Sequence, residues 1–299
     1  MTFNIDMAVI TETKSELQFD KRSKEIYDTI MKAMPDIICL QELRLLDSMK
    51  NPMNFINLFT ETYGFEYGYR NAGPMSFGQY TLFKKTKFAS IETKKLWLSS
   101  TPHTPSISFD EIKDKDSLIG KNIKTGSRIL GVKLMLVEND KYVSNYEPFW
   151  IWNCHFPMDT EEWKNIATEK LYGIIKKEFR KQQFILCGDF NTYYDREGNT
   201  QRKNLSNNLT DCLKEIRTLD DKIIGSTWLG WEYDSYHIKD KDIESNKGLV
   251  DGIYVTDGIQ KIGNVITLFK YNELLTNNRI NLPSDHIPLL CEFNLTANN

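Results

Sequence analysis

The 299-residue chain has five cysteines, an odd number, and none stands in a Cys-x-x-Cys pair. A disulfide framework is therefore not expected. Cys39, Cys154, Cys187 and Cys291 lie in apolar, strand-like runs, where a thiol serves as a small buried hydrophobe in a reducing compartment. No apolar run approaches the ~20 residues of a membrane span, so no membrane partner is expected. The opening Met1-Thr2-Phe3-Asn4-Ile5-Asp6 is too polar for a secretory leader. An intracellular, cytoplasmic location is the default expectation. Positive charge is not in excess either: 38 Lys and Arg against 41 Asp and Glu leave a net charge of −3. That argues against a protein that coats nucleic acid non-specifically, where a basic footprint is expected. A nuclease with a local cationic groove remains open. No internal repeat and no long linker divides the chain. Residues 1–299 read as a single domain, expected to be a monomer, with 40% hydrophobic and 26% charged residues and enough length for a large core.

What is present is an alternation of helical and strand-like patterns. Residues 2–9 alternate like a strand. Asp20 to Met34 carries Ile26, Ile30 and Met34 on one stripe and is stopped by Pro35, which predicts a helix. A buried strand follows over 36–40, and a second amphipathic helix spans Pro52 to Tyr63. Strands are expected near 65–69, 79–84, 88–98, 128–137, 148–155 and 183–187. The longest helix is predicted from Asp159 to Arg180, with Asp159 and Glu162 arranged as a capping box. A further helix is expected near 205–217, then strands near 249–256, 262–269 and 286–294. Early alternation followed by a pile-up of strands favours an α/β or α+β sandwich. Residues 99–127 and 232–247 read as insertions, and long loops of this kind are often functional.

The chemistry sits where strands end. Gly188-Asp189-Phe190-Asn191 closes the apolar run Phe184-Ile185-Leu186-Cys187. Alone, such a tetrapeptide is more often a turn. Four other strand ends carry polar residues: Glu42, Asn153-Cys154-His155, Asp251 and Ser284-Asp285-His286, with Asn4 in the first strand. Taken together they offer phosphate-ester hydrolysis. A hard divalent cation binds through one or two carboxylates, and Glu42 supplies one, with Asn4 and Asp285 as further candidates. Asp189 is the candidate base for a nucleophilic water. Asn191, His155 and His286 can donate to developing negative charge, and Asp251 can orient His286.

These motifs resemble the endonuclease/exonuclease/phosphatase superfamily, the fold of pancreatic-type deoxyribonuclease, abasic-site endonucleases, deadenylases and inositol polyphosphate phosphatases. Thr2-Phe3-Asn4-Ile5 looks like its opening strand, Leu40-Gln41-Glu42 its metal motif, and Asn153-Cys154-His155-Phe156 its Asn-Thr-His-Leu motif. Val250-Asp251-Gly252-Ile253-Tyr254-Val255 and Ser284-Asp285-His286-Ile287-Pro288 are similar to its last two signatures. Leu96-Trp97-Leu98-Ser99-Ser100-Thr101-Pro102 and Gly225-Ser226-Thr227-Trp228-Leu229-Gly230-Trp231 look like stretches of a bacterial-type branch. The resemblance implies a four-layer αββα sandwich of two mixed sheets flanked by helices, with the site at one edge of the sheet pair. It implies Mg²⁺, or Mn²⁺ in its place, and a phosphate-ester substrate. The site residues it carries over are Asn4, Glu42, His155, Asp189, Asn191, Asp251, Asp285 and His286.

Two departures stand out. Gln79 takes the place of a glutamate that pairs with the motif histidine in some members, so His155 is expected to lack its usual carboxylate. Ser108-Phe109-Asp110-Glu111 matches the branch poorly; Arg128, after it, is a candidate phosphate contact or a plain surface charge. For the substrate, Trp228, Trp231, Tyr233 and Tyr236 offer surfaces for stacking a base, or packing under a loop. Lysines 84, 85, 87, 94 and 95 offer a phosphate groove or a solvated face. The leading reading is a metal-dependent phosphodiesterase acting on nucleic acid or a nucleotide. The alternatives are a monoesterase for a small phosphorylated metabolite and a non-catalytic binding module that kept the fold.

Overall fold

The stripe of Ile26 and Ile30 and the apolar run after Pro35 build one half of the fold. The computed structural model describes residues 1–7, 19–44, 52–69, 77–98, 101–103, 128–156, 161–178, 182–191, 203, 205–207, 209–213, 215–231, 237–275 and 281–296. The stripe lies on helix α1 (Phe19–Ala33) and the run on strand β2 (Ile37–Arg44). At Met34 the chain turns left-handed, with φ 43°, and Pro35 cannot continue the helix. β2 runs parallel to β1 (Thr2–Asn4) and antiparallel to β4 (Phe77–Lys84). The same sheet holds β3 (Tyr63–Tyr69), β11 (Ile216–Arg217), β12 (Ile223–Ile224), β14 (Ile259–Thr267) and β15 (Leu289–Leu295). Its eight strands follow the order β12-β11-β14-β15-β1-β2-β4-β3.

The second sheet comprises β5 (Phe88–Trp97), β6 (Arg128–Glu138), β8 (Phe149–His155), β9 (Phe184–Asp189), β10 (Thr210–Asp211) and β13 (Asp251–Val255). They lie in the order β10-β13-β9-β8-β6-β5, and the short β7 (Lys141–Tyr142) pairs with β6 as a seventh strand. Both sheets mix parallel and antiparallel pairs.

Three apolar layers hold the sheets and helices together. Helices α1 and α2 (Pro52–Asn57) cover the first sheet, with Ile26, Ile30, Phe55 and Phe59 packed on Phe3, Ile38, Leu40 and Leu82. Helix α3 (Glu161–Glu178) covers the second, with Ala167, Leu171 and Ile174 against Trp150, Trp152, Leu186 and Tyr254. Between the sheets lie Cys39, Leu130, Val132, Ile151, Ile185, Cys187, Ile253 and Leu289. The result is the αββα sandwich expected from the motifs. Trp150 and Trp152 stack at 5.2 Å, and Gly131 makes the room: a β-carbon there would lie 2.3 Å from the Trp152 ring. Burying one such indole removes roughly 200 Å² from water, on the order of 5 kcal/mol of gross transfer energy. All five cysteines are free thiols and four are buried.

Some expected elements differ. α2 loosens into turns after Asn57, before β3 begins at Tyr63. The helix expected over 205–217 is not formed. The described residues there give a helical turn near 205, and then β10 and β11. Pairing of Thr210 with Val255 and of Ile216 with Val265 outweighs a local helical preference that was weak to begin with. The capping pair's Asp159 lies outside the described residues, as do Tyr233, Tyr236 and residues 104–127 of the first insertion. The described part of the second insertion folds under the 225–231 loop: Ile243 is fully buried and its carbonyl accepts from Gly225 and Ser226.

Candidate active site

Strands β8, β9 and β13 bring three side chains into one row. His155 and Asp251 both sit opposite Asp189, one on either side, so all three face the same way. Gly188 permits this closeness: its φ is 139° and a β-carbon would lie 2.0 Å from the Cys154 carbonyl oxygen. Every other residue would push β8 away from β9. Asp189 is 1% exposed, and its two oxygens are held separately. One accepts from the Asn191 backbone N–H at 2.7 Å, the other from the Asn4 side-chain amide at 3.0 Å.

The first sheet contributes through a bulge. The β2–β4 ladder shifts register between Leu40 and Leu43, and Glu42 takes a left-handed φ of 63°. Bulges of this kind re-aim a side chain near functional sites. The carbonyls freed at the bulge are met from the opposite sheet: Asn153 donates to Leu40 at 3.1 Å and to Tyr80 at 3.0 Å. Gln41 donates back to the Asn153 oxygen at 2.8 Å. This buried amide pair is a strut between the sheets. Asn4 then bridges the two halves of the site. Its oxygen accepts from the Asp6 backbone N–H at 3.1 Å, which fixes the amide's orientation, and its nitrogen donates to Glu42 at 3.1 Å as well as to Asp189.

Both histidines lie in this cluster. His286 Nδ1 is 3.0 Å from Asp251 Oδ2, and its Nε2 is 3.8 Å from Asp189 Oδ2. Burial works against its charge, but Asp251 and Asp285, with Asp189 behind them, hold its pKa well above the usual imidazole range. Asp189 moves the other way from an ordinary carboxylate. Burial pushes it up and Asp251 adds to this; His286, the Asn191 N–H and Asn4 pull back, leaving it raised to about 7. His155 Nε2 stands 3.6 Å from both Glu42 and Asp189. The carboxylates beside it are therefore these two, whatever the loss at Gln79, which is buried on β4 opposite Gly68.

Other expected residues take different parts. Asn191, expected to donate to phosphate, turns its amide to the Phe156 carbonyl at 2.8 Å, and its left-handed φ of 50° fits a loop clasp. Asp285 accepts from the indole N–H of Trp228 at 2.9 Å. Trp228 packs, partly buried, against the core between the sheets while its indole orients that carboxylate. Arg128 opens β6 opposite Trp97; its side chain lies outside the described residues. The five lysines do not line one groove. Lys84 and Lys87 both pair with Asp36, at 2.8 and 2.7 Å, and Lys85 donates to Thr60, all at the end of β4 remote from Glu42. Lys94 and Lys95 lie over the rings of Trp150 and Tyr67.

Asp6 and Arg22 carry no signal in the sequence motifs, and Trp231, offered there for stacking or packing, is joined to both. Asp6 is 6% exposed and accepts from Trp231 Nε1 at 2.9 Å. Burial, Asp285 and Glu42 raise its pKa well above the carboxylate range, against Arg22 and Trp231. The available signal was alternation, which put Asn4 and Asp6 on one side of the first strand.

Ligand atoms of Glu42, His155 and Asp189 lie within 4.8 Å of one another, as do those of Asp189, Asp251 and His286. Carboxylate oxygens in a partly buried, negatively charged recess suit a hard divalent cation. The sequence model of the Endonuclease/Exonuclease/phosphatase family matches residues 1–286, and the chain belongs to that family. Its members are hydrolases acting on phosphate esters. The chain is 23% identical over 296 residues to the uncharacterized protein L388 of Acanthamoeba polyphaga mimivirus, covering 98% of each. It has the fold of a functionally unknown conserved protein from Enterococcus faecalis V583, with TM-score 0.71 and 20% identity over 98% of both chains. The mannosyl-6-phosphatase Bt3783 of Bacteroides thetaiotaomicron VPI-5482 shares the fold, with TM-score 0.64 and 15% identity over 98% of both chains.

Proposed function

We propose that the protein is a divalent-metal-dependent phosphoesterase that cleaves a phosphodiester of nucleic-acid or nucleotide type. The observation that supports this is the convergence of Glu42, Asn4, His155, Asp189, Asp251 and His286 on one recess, with Asp189 raised to about 7. Glu42 would hold the cation, with Asn4 and Asp285 beside it, and Mg²⁺ or Mn²⁺ suits such donors. When bound, the cation polarises a phosphoryl oxygen and stabilises the leaving oxygen. The chain's own residues do the rest. Asp189 titrates near neutrality, which suits a base that takes a proton from water. Asn4 and the Asn191 N–H fix the two oxygens of that base. Asp251 keeps His286 cationic, and its Nε2 donates to the phosphoryl oxygens as charge builds on them. His155, between Glu42 and Asp189, is a second donor. Charge favours a diester, because a monoester would bring a second negative charge to a recess already lined by Glu42, Asp189 and Asp251.

The test compares bis(p-nitrophenyl) phosphate with p-nitrophenyl phosphate in Mg²⁺ or Mn²⁺, with Asp189→Asn as the control. Metal-dependent turnover of the diester, lost in the variant, is expected. Turnover of the monoester alone would move the assignment to a phosphatase like the mannosyl-6-phosphatase that shares the fold. No turnover of either ester by the wild type would remove the proposal.

A further inference from the structure

Arg22 is charged, lies in the first turn of α1 and is only 3% exposed. Its guanidinium binds three main-chain carbonyls on two segments that are distant in sequence. Nη1 donates to Ile5 at 3.1 Å and to Pro283 at 2.5 Å, and Nη2 donates to Asp6 at 2.6 Å. The ring of Trp231 covers the group at 5.4 Å, and the same indole donates to Asp6. The two segments are those that carry the site. Asp6 N–H orients the Asn4 amide. On the other side, Ser284 Oγ donates to the Asn4 carbonyl at 2.8 Å and accepts from the His286 N–H at 3.3 Å. A rigid, five-donor fork can hold two backbones at once; an ammonium on a flexible stem cannot reproduce its geometry.

We propose that Arg22 is a positioning residue: it clamps the exit of β1 against the 283–286 loop and so keeps Asn4 and His286 in register with Asp189. The inference rests on the phosphoesterase reading for its kinetic consequence, but not for its structural one. Displacing groups that orient a reaction by about an ångström costs on the order of 100-fold in rate.

The experiment uses Arg22→Lys, which keeps the charge, and Trp231→Phe, which keeps an aromatic ring over the site of the guanidinium but loses the indole N–H and part of the buried ring. Hydrogen exchange followed by mass spectrometry is read on both folded variants. With Arg22→Lys, amides of residues 2–6 and of 284–287 are expected to exchange faster together, while β5 and β6 are unchanged. Acceleration confined to α1 and residues 2–6 would overturn the clamp. If the wild type turns over the diester, kcat of Arg22→Lys should fall about 10- to 100-fold with KM within about twofold, measured well below its melting temperature. Trp231→Phe should give a smaller loss of the same kind. Unchanged kcat with only a lowered melting temperature would mean a merely structural arginine, and would overturn the proposal. An inert wild type would count against the phosphoesterase reading alone, because the exchange measurement still decides the clamp.

Discussion

Asp189→Asn removes a buried carboxylate that folding forces into an unfavourable setting, and the consequence for stability can be worked from the structure. The group is raised from 3.8 to about 7. Because its folded pKa is raised, the folded state binds the proton more tightly than the unfolded chain does. Stability from this group is therefore fully present below pH 3.8 and declines until pH passes about 7. At 1.36 kcal/mol per unit the decline totals about 4 kcal/mol. The variant lacks it. Its amide meets two donors with one oxygen, a pH-independent mismatch of about 1–2 kcal/mol. Above pH 7 the variant is thus expected to be more stable by roughly 2 kcal/mol while losing activity, a trade between site chemistry and stability. The assay is urea unfolding in a chelator, followed by fluorescence of the six tryptophans, at pH steps from 4 to 8. The difference between the two proteins should grow through that window and then level off. A difference that stays constant with pH, or a wild type that is the more stable at pH 8, would refute the account of Asp189.

Three further outcomes follow from the same geometry. Asp251→Asn removes the nearest carboxylate from His286, so the basic limb of the kcat/KM–pH profile should move to lower pH and the rate fall by about 100-fold or more; an unmoved basic limb would separate His286 from the reaction. Glu42→Gln should raise the half-saturating metal concentration by about tenfold or more, with activity partly restored at high Mg²⁺, and an unchanged titration would place the cation elsewhere. Gly131→Ala sets a methyl against the Trp152 ring; a loss of about 1–3 kcal/mol is expected in denaturant unfolding, and a neutral result would mean that the stacked indoles shift at little cost.

Much of the fold was legible because apolar runs and their polar ends coincide in this chain. The run 184–187 gave β9, and Asp189 stands at its end. The pairing of His286 with Asp251 was legible from residue type, since an imidazole needs a carboxylate to fix it. The bulge at Glu42 was not, because it depends on Asn153 arriving from the other sheet. Nor were the short strands β10 and β11, whose partners are about 45 to 50 residues away and whose two residues each are too few to show an alternating pattern. The lysines left two readings open because a positive charge in sequence does not show its counter-charge: Asp36 lies 48 residues from Lys84. Arg22 was hidden most completely. Its partners are backbone carbonyls, one of them 261 residues along the chain, and no residue-type pattern announces them.

The row formed by His155, Asp189 and Asp251 carries a consequence for how the protein can fail. Side chains in a strand alternate with a period of two, so a slip of one residue between neighbours turns a whole strand over. In β9 such a slip would carry Asp189 off the row and would also turn Leu186 away from the core beneath α3 and Cys187 away from the core between the sheets. A slip that loses the site therefore also loses the packing of both cores. Regain of the row during refolding is then a direct report on strand registry among segments separated by tens of residues, the slow kind of contact to make.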